Sequence, residues 1–204
     1  IIPVYTADVS GVCSALFELG GMTVMHDPSG CNSTYNTHDE TRWYDQDSLI
    51  YISGLTEMDA VMGNDRKLIN DVIDAADRLH PKFIALCGSP VPFLNGTDFN
   101  ALARIIESET GIPSFAVETN GTHDYVQGAS KAWEKIAERF IKKPECKKER
   151  AVNILGMTPL DYASSDSVSS MREIMESAGY TVQSVWAMGD SLDTLSTSGE
   201  ASVN

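Results

Sequence analysis

The sequence predicts an α/β protein in which a parallel sheet is covered by helices on both faces. Short apolar segments of strand character alternate with longer segments of helical periodicity, an alternation typical of parallel sheets. The apolar segments also run directly into loops of glycine, proline and polar residues, as strands do where they leave a sheet. The 204 residues are 42% hydrophobic and 22% charged, which is an ordinary globular composition.

The elements of the first part of the chain follow from this pattern. Asp8 or Ser10 is a candidate N-cap of a first helix, which is predicted to end at Gly20 and Gly21. Strands are predicted at 23–25, 49–52, 83–86 and 112–117. Helices are predicted at 68–79, from Thr97 or Asp98 to Gly111, and at 125–141, whereas 53–64 and 88–92 are predicted to be loops.

The same alternation begins again after a charged segment at 142–150. The predicted elements are a strand at 151–156, a helix at 168–178, a strand at 181–186 and a helix at 191–201. We therefore expect a first Rossmann-like domain over 1–145 and the beginning of a second, similar domain over 150–204. Because the chain starts at Ile1 and stops within a helical pattern, we expect it to be a piece of a longer polypeptide.

Charge and cysteine content narrow the classes of partner. The net charge of −14, from 29 acidic and 15 basic residues, argues against a nucleic-acid partner, because phosphate binding needs clustered lysine and arginine. No apolar run approaches the roughly 20 residues that span a bilayer. No secretory signal is visible either, so no membrane partner is expected.

The four cysteines are too few for a disulfide scaffold, which favours reduced thiols and a cytoplasmic location.

Two cysteines directly follow predicted strands. The strand at 23–25 leads through a turn containing Gly30 to Cys31, and the strand at 83–86 leads into Cys87. Because the carboxyl ends of parallel strands share one edge of a sheet, both thiols are predicted to lie at that edge.

Cys13 is the third candidate metal ligand. It is predicted to lie in the first turn of the first helix, where the helix N-terminus favours the thiolate. A buried thiol that faces the core is an equally good interpretation. Thiolates gathered from separate elements suit an iron–sulfur cluster, and three thiolates are one fewer than the usual four. The predicted metal ligands are Cys13, Cys31 and Cys87.

Polar groups around these cysteines complete the predicted site. The backbone amides of Gly30, Asn32 and Gly88 are candidate hydrogen-bond donors to cluster sulfurs. The candidate proton donors to a reduced substrate are His26, Asp27, His38 and His123. The turn at 120–122 is either an anion site at the start of the following helix or a plain left-handed turn.

The segment His26-Asp27-Pro28-Ser29-Gly30-Cys31 resembles the His-Gly-Pro-x-Gly-Cys signature of the nitrogenase component 1 family. That family includes the nitrogenase α and β subunits, their cofactor-assembly relatives and the subunits of dark-operative protochlorophyllide reductase. Similar family patterns recur in order along nearly the whole chain. They are Leu55-Thr56-Glu57, Gly63 to Leu68, Cys87 with Gly96-Thr97-Asp98, Gly111-Ile112-Pro113, Thr119-Asn120-Gly121 with Gly128, and Val152 to Gly156.

The resemblance implies a nitrogenase component 1-like fold in which Cys31 and Cys87 ligate an iron–sulfur cluster at a subunit interface. The cluster would be a 4Fe-4S or P-cluster-like centre. The resemblance also implies a partner subunit of the same family, identical or different, and an ATP-dependent reductase similar to the nitrogenase iron protein.

The sequence departs from the family pattern in three places. Asp27 replaces a glycine of the signature and adds a carboxylate near the cysteine. The family's first cysteine would fall near residues 5–6 rather than at Cys13. The interval from Cys87 to Gly96 is longer than the usual family interval.

The predicted function is that of a nitrogenase-like oxidoreductase subunit, which passes electrons through an iron–sulfur cluster to an unidentified substrate. Two alternatives are open on the same fold. One is a non-catalytic scaffold for the assembly of a metal cofactor, and the other is a small-molecule-binding module.

Overall fold

The computed structural model describes residues 7–29, 49–162 and 164–203. The first part of the chain contains α1 (Ala7–Leu16), β1 (Met22–His26), β2 (Leu49–Ile52), α2 (Glu57–Met62), α3 (Asp65–Leu79), β3 (Ile84–Gly88), α4 (Pro90–Leu94), α5 (Phe99–Thr110), β4 (Ser114–Ala116) and α6 (Tyr125–Phe140). The second part contains β5 (Lys148–Met157), α7 (Ser165–Ser177), β6 (Thr181–Ala187), α8 (Leu192–Leu195), a 3-10 turn (Ser198–Glu200) and β7 (Ala201–Val203).

The first sheet has four parallel strands in the order β2-β1-β3-β4. Its two central strands, β1 and β3, are buried along their whole length, as expected where helices cover both faces. One apolar cluster joins one face to α1 and α6, and a second joins the opposite face to α3 and α5. The predicted α/β architecture with a doubly covered parallel sheet is confirmed.

The second sheet has three parallel strands in the order β6-β5-β7. Apolar side chains of α7 pack on it in a third cluster, which includes Val152, Val168 and Val185. Trp186, Leu192 and Leu195 instead join the cluster of α1 and α6, so apolar packing is continuous between the two sheets. The domain boundary between 145 and 150 stays a prediction.

Helices α1 and α6 cross at unusually short range because each has a glycine at the contact. A Cβ atom on Gly11 would lie 2.0 Å from the Tyr125 carbonyl oxygen, and one on Gly128 would lie 1.8 Å from the Asp8 carbonyl oxygen. Real Cβ atoms do not approach other heavy atoms that closely. The crossing therefore requires glycine at both positions.

The predicted helix at 191–201 is wrong beyond its first turn. Helix α8 ends at Leu195, and the chain continues through the 3-10 turn into β7, which pairs with β5. The hydroxyls of Ser196 and Thr197 donate to the carbonyl oxygens of Asp193 and Thr194. Serine and threonine compete in this way with continued helical hydrogen bonding.

The predicted helix starts are partly corrected. Asp98 is the N-cap of α5, where its carboxylate accepts from the Ala101 amide at 2.9 Å. Asp8 and Ser10 both lie inside α1, so neither caps it. Among the described helices, none is both long and apolar enough to cross a membrane.

Candidate functional site

The carboxyl ends of β1 and β3 lie side by side at one edge of the first sheet. Their parallel register pairs Met25 with Cys87 and His26 with Gly88. The chain leaves this edge through Asp27 toward the loop that carries the signature cysteine. Gly30, Cys31, Asn32 and His38 lie outside the described residues, so their predicted roles stay predictions.

Cys87 is placed at the sheet edge, but its thiol faces inward. The residue is fully buried in the apolar cluster of α1 and α6, and its Sγ lies 3.7 Å from the Val24 carbonyl oxygen, which accepts from the thiol. In the part of the chain that the structure describes, no group of three or more His, Cys, Asp or Glu side chains is arranged to hold a metal. A cluster at this edge therefore needs ligands from outside the described part.

Cys13 is also fully buried in that cluster. Because α1 begins at Ala7, Cys13 lies beyond its first turn, contrary to the prediction. The electrostatic effect of a helix N-terminus fades within the first turn, so it does not stabilise a thiolate there. The location of Cys13 favours the core-facing interpretation, while its predicted role as a ligand stays untested.

The Gly88 amide is already engaged within the chain. It donates to Thr119 Oγ1 at 2.9 Å, and the Thr119 hydroxyl donates to the Gly88 carbonyl oxygen at 2.7 Å. A Cβ atom on Gly88 would lie 2.5 Å from the Phe99 ring. Gly88 therefore allows close packing at the sheet edge. Because Thr119 engages its amide here, the role of that amide as a donor to cluster sulfurs stays a prediction.

His26 is held at the end of β1 with little access to solvent. Its Nδ1 lies 2.7 Å from Ser53 Oγ, and its ring meets the Phe99 ring edge-on at 6.1 Å between centroids. Burial lowers the pKa of His26 below its ordinary value, although the Asp65 and Asp27 carboxylates oppose the shift. The imidazole is therefore neutral at pH 7.

Asp27 is buried and fixes the start of the signature loop. Its Oδ2 accepts from the Ser29 amide at 2.8 Å, and its carbonyl oxygen accepts from the Leu55 amide at 2.9 Å. Ser29 has a φ of 86°, a left-handed conformation that costs energy for a residue with a side chain. The aspartate that replaces the family's glycine thus has a local structural role in the turn.

A cavity of about 470 Å³ opens beside His26. Its walls come from α2, the segment after it and the connection between α4 and α5, and they include the carboxylates of Asp59, Asp65 and Asp98. Hydrogen bonds from Thr56 and Asn64 lower the pKa of Asp59, so its carboxylate is charged. The cavity is therefore acidic.

A second cavity, of about 410 Å³, shares the wall at 96–98. His123 lines it, and His123 Nδ1 lies 3.4 Å from Asp8 Oδ2. Nδ1 has no hydrogen-bond partner in the described part of the chain, and the buried Asp8 carboxylate accepts instead from the amides of Asn120 and Gly121, at 3.0 and 2.8 Å. The turn that was a candidate anion site thus binds the chain's own carboxylate.

An exposed apolar surface lies next to the acidic cavity, and the sequence analysis missed it. Helices α2 and α4 fall in segments predicted to be loops, and Asn95 Nδ2 links them by donating to the Ala60 carbonyl oxygen at 3.0 Å. We call this the α2/α4 surface; its members are Met58, Val61, Met62, Phe93 and Leu94, which are 57–82% exposed. The apolar spacing at 58, 61 and 62 was the available signal for α2.

These features define an α/β protein whose parallel strands bring a cysteine and a histidine to the carboxyl edge of the sheet, where open α/β sheets generally bind their ligands. The chain belongs to the nitrogenase component 1 type oxidoreductase family, whose sequence profile matches residues 10–204.

Similar proteins include two nitrogenase iron-molybdenum cofactor biosynthesis proteins. NifN of Bradyrhizobium diazoefficiens is 22% identical over 193 residues, which cover 91% of this chain and 40% of the relative. NifE of Klebsiella pneumoniae is 28% identical over 101 residues, which cover 48% of this chain and 22% of the relative.

Solved structures show the same fold. "Nitrogenase Cp1 at pH 5" superposes with a TM-score of 0.77 at 21% identity, and the match covers 100% of this chain and 43% of that one. The chain spans less than half the length of these relatives and of this structure.

Proposed function

We propose that the chain is part of a cytoplasmic subunit that holds an iron–sulfur cluster during the assembly of a metal cofactor. The observation that carries the proposal is the register of β1 and β3, which sets Cys87 beside the strand that leads to Cys31. Both relatives described above are cofactor biosynthesis proteins, which supports assembly as the purpose of the cluster.

In this proposal, Cys31 and Cys87 hold a 4Fe-4S or P-cluster-like centre, and a second subunit of the same family supplies the remaining ligands. Cluster binding then requires the buried Cys87 thiol to give up its hydrogen bond to the Val24 carbonyl oxygen and to turn toward the edge of the sheet. A cluster usually has four thiolate ligands, so the two cysteines of this proposal leave two positions for other ligands. The bound cluster would supply electron-transfer and sulfur-transfer chemistry. His26 and Asp27 shape the edge, because His26 is anchored to Ser53 and Asp27 to the following turn.

The test is the amount of iron and acid-labile sulfide per chain after anaerobic purification of the protein with its partner. We expect Cys31→Ala and Cys87→Ala to lose most of both, because each removes a thiolate that binds iron. Cys146→Ser is the matched control, since Cys146 is exposed and lies on the charged segment at 142–150. Full iron content in both alanine variants would overturn the proposal.

A second candidate function is the reduction of a substrate with electrons from an ATP-dependent reductase similar to the nitrogenase iron protein. The α2/α4 surface favours it, because α2 has no buried residue and yet carries Met58, Val61 and Met62 outward. Contiguous exposed apolar patches mark sites of protein association. Val61 and Met62 of this surface line the cavity of His26.

Charge substitutions on the α2/α4 surface test whether the reductase binds there. We expect Val61→Asp and Leu94→Asp to lower reductase-dependent electron transfer more than tenfold, because interface anchors contribute about 2 kcal/mol or more. Iron content should not change. Ile174→Asp is the control, since Ile174 is 59% exposed but lies on α7. Equal rates in all three variants would exclude docking at this surface.

A further inference from the structure

The two methionines of α2 differ from the other methionines of the chain in their exposure. Met58 is 69% exposed and Met62 is 73% exposed, and neither belongs to any of the three apolar clusters of the described residues. The remaining methionines all belong to those clusters or pack against them, and they are Met22, Met25, Met157, Met171, Met175 and Met188. The fold therefore shields these thioethers and leaves the two of α2 open to solvent.

Helix α2 holds its two methionines side by side. Residues four apart in a helix are neighbours on its surface, so Met58 and Met62 lie on one face together with Val61. No residue of α2 is buried, and Asn95 ties the helix to α4 through the Ala60 carbonyl oxygen. Because both methionines are members of the α2/α4 surface, a change in their thioethers changes the polarity of that surface.

Methionine brings a specific chemistry to this surface, because its thioether reacts with peroxides. The sulfur lone pair attacks one oxygen of hydrogen peroxide, the O–O bond breaks, and an S–O bond forms while the other oxygen leaves as water. The thioether is oxidised by two electrons, the peroxide is reduced to water, and the sulfoxide that results is polar. Methionine sulfoxide reductases restore the thioether, so the change is reversible.

We propose that Met58 and Met62 are a peroxide-sensitive modification site, and that their oxidation to sulfoxide weakens the binding of the reductase to the α2/α4 surface. The effect on binding rests on the second candidate function described above, in which an ATP-dependent reductase binds there. Burial of a thioether is favourable, whereas burial of a sulfoxide without a hydrogen-bond donor costs free energy. In this proposal, electron delivery stops while peroxide is present and resumes once the thioethers are restored.

Oxidation of the purified chain by hydrogen peroxide, followed by mass spectrometry of its peptides, tests the modification site. We expect Met58 and Met62 to form sulfoxide at least about tenfold faster than Met25 and Met188, which are fully buried, because exposure controls the reaction. Rates for the two α2 residues no faster than those for the buried pair would overturn the inference. The measurement requires neither iron nor a reductase, so its result is independent of the proposed function.

Binding of the reductase used in the electron-transfer assay, measured before and after peroxide treatment, tests the consequence. We expect oxidation to weaken binding about tenfold or more, as loss of interface anchors does, and a methionine sulfoxide reductase to restore it. The double variant Met58→Leu/Met62→Leu should bind equally well before and after treatment, because leucine has a similar volume and no sulfur. Met171→Leu/Met175→Leu on α7 is the matched control and should lose binding as the wild type does.

The outcomes separate this inference from the function on which it rests. If the Met58→Leu/Met62→Leu variant loses as much binding as the wild type, other groups respond to peroxide and the inference is overturned. If the untreated wild type does not bind the reductase, the second candidate function is refuted and the effect on binding falls with it. The rates of sulfoxide formation then still decide whether the two α2 methionines are the modification site.

Discussion

At the scale of single residues, burial sets the charge of His26. The imidazole is 7% exposed, and loss of hydration outweighs the attraction of Asp65 and Asp27 for a proton. Ser53 Oγ lies 2.7 Å from His26 Nδ1 and also accepts from the Asp27 amide at 3.2 Å, so one hydroxyl holds two successive residues where β1 ends. A neutral, anchored imidazole therefore stands between the acidic cavity and the strand that carries Cys87.

This burial predicts a pH dependence of stability. Because the pKa of His26 in the folded chain is below its ordinary value of 6.5, the unfolded chain binds the proton more readily. The contribution of His26 to the free energy of unfolding is fully present above about pH 6.5 and is lost as the pH falls through the folded pKa. The difference in the free energy of unfolding between wild type and His26→Gln, obtained from urea unfolding between pH 5 and 8, measures this contribution.

The expected result is a difference between the two proteins that is constant above pH 7 and shrinks toward pH 5. Taking the difference removes the titration of the other histidines and of the carboxylates. A difference that grows as the pH falls would show that the pKa of His26 is raised in the folded chain.

The sequence predicted the edge of the sheet better than the contacts at that edge. The strand ends predicted after Met25 and Leu86 lie within two residues of the observed ends at His26 and Gly88, because apolar runs that stop at turn formers are a local signal. The use of the Gly88 amide by Thr119 depends on a residue 31 positions away, and the pairing of Asp8 with the 120–121 turn spans more than 110 positions. No local pattern encodes such contacts.

At the scale of elements, the crossing of α1 and α6 sets the position of the turn at 120–121, which precedes α6. Gly11 and Gly128 let the helix backbones meet, and the Asp8 carboxylate then reaches the turn before α6. Glycine inside a helix costs about 1 kcal/mol relative to alanine, so close packing must offset that cost. Gly11 and Gly128 therefore allow the helix contact that positions the Asp8 carboxylate at the candidate site.

Gly128→Ala tests this crossing. Helix propensity alone predicts a gain of about 1 kcal/mol, but the new Cβ would lie 1.8 Å from the Asp8 carbonyl oxygen. We expect a net loss of about 1–3 kcal/mol in the free energy of unfolding, the usual range for overpacking. Ser130→Ala on the exposed side of α6 is the matched control and should be neutral or stabilising. A stabilised Gly128→Ala protein would contradict the close crossing.

Long elements were predicted well, and short ones were not. The helix at 68–79 and the helix at 125–141 have strong apolar periodicity and lie where α3 and α6 are found. Helices α2 and α4 have six and five residues and form where capping and tertiary contacts favour them, such as the Thr56 hydroxyl that accepts from the Asp59 amide. Such short helices are marginal without these contacts.

At the scale of the whole molecule, one apolar cluster joins the two sheets. Trp186 and Leu195 come from the second part of the chain and pack with α1 and α6. Three polar contacts reinforce the junction, since Glu18 accepts from the Gly189 amide at 2.9 Å, Lys82 Nζ lies 2.7 Å from Asp193, and Tyr125 donates to Thr158. Packing of this kind favours unfolding of both sheets in one transition.

Leu195→Ala distinguishes one cooperative unit from two independent domains. Leu195 is fully buried, and truncation of a buried leucine usually costs about 2–5 kcal/mol. If the cluster couples the sheets, amide hydrogen exchange should accelerate in β1 and β3 as well as in β5 and β6. Val185→Ala is the control, because Val185 is equally buried but belongs to the cluster of the second sheet alone. Faster exchange confined to the second sheet in Leu195→Ala would favour independent domains on either side of 145–150.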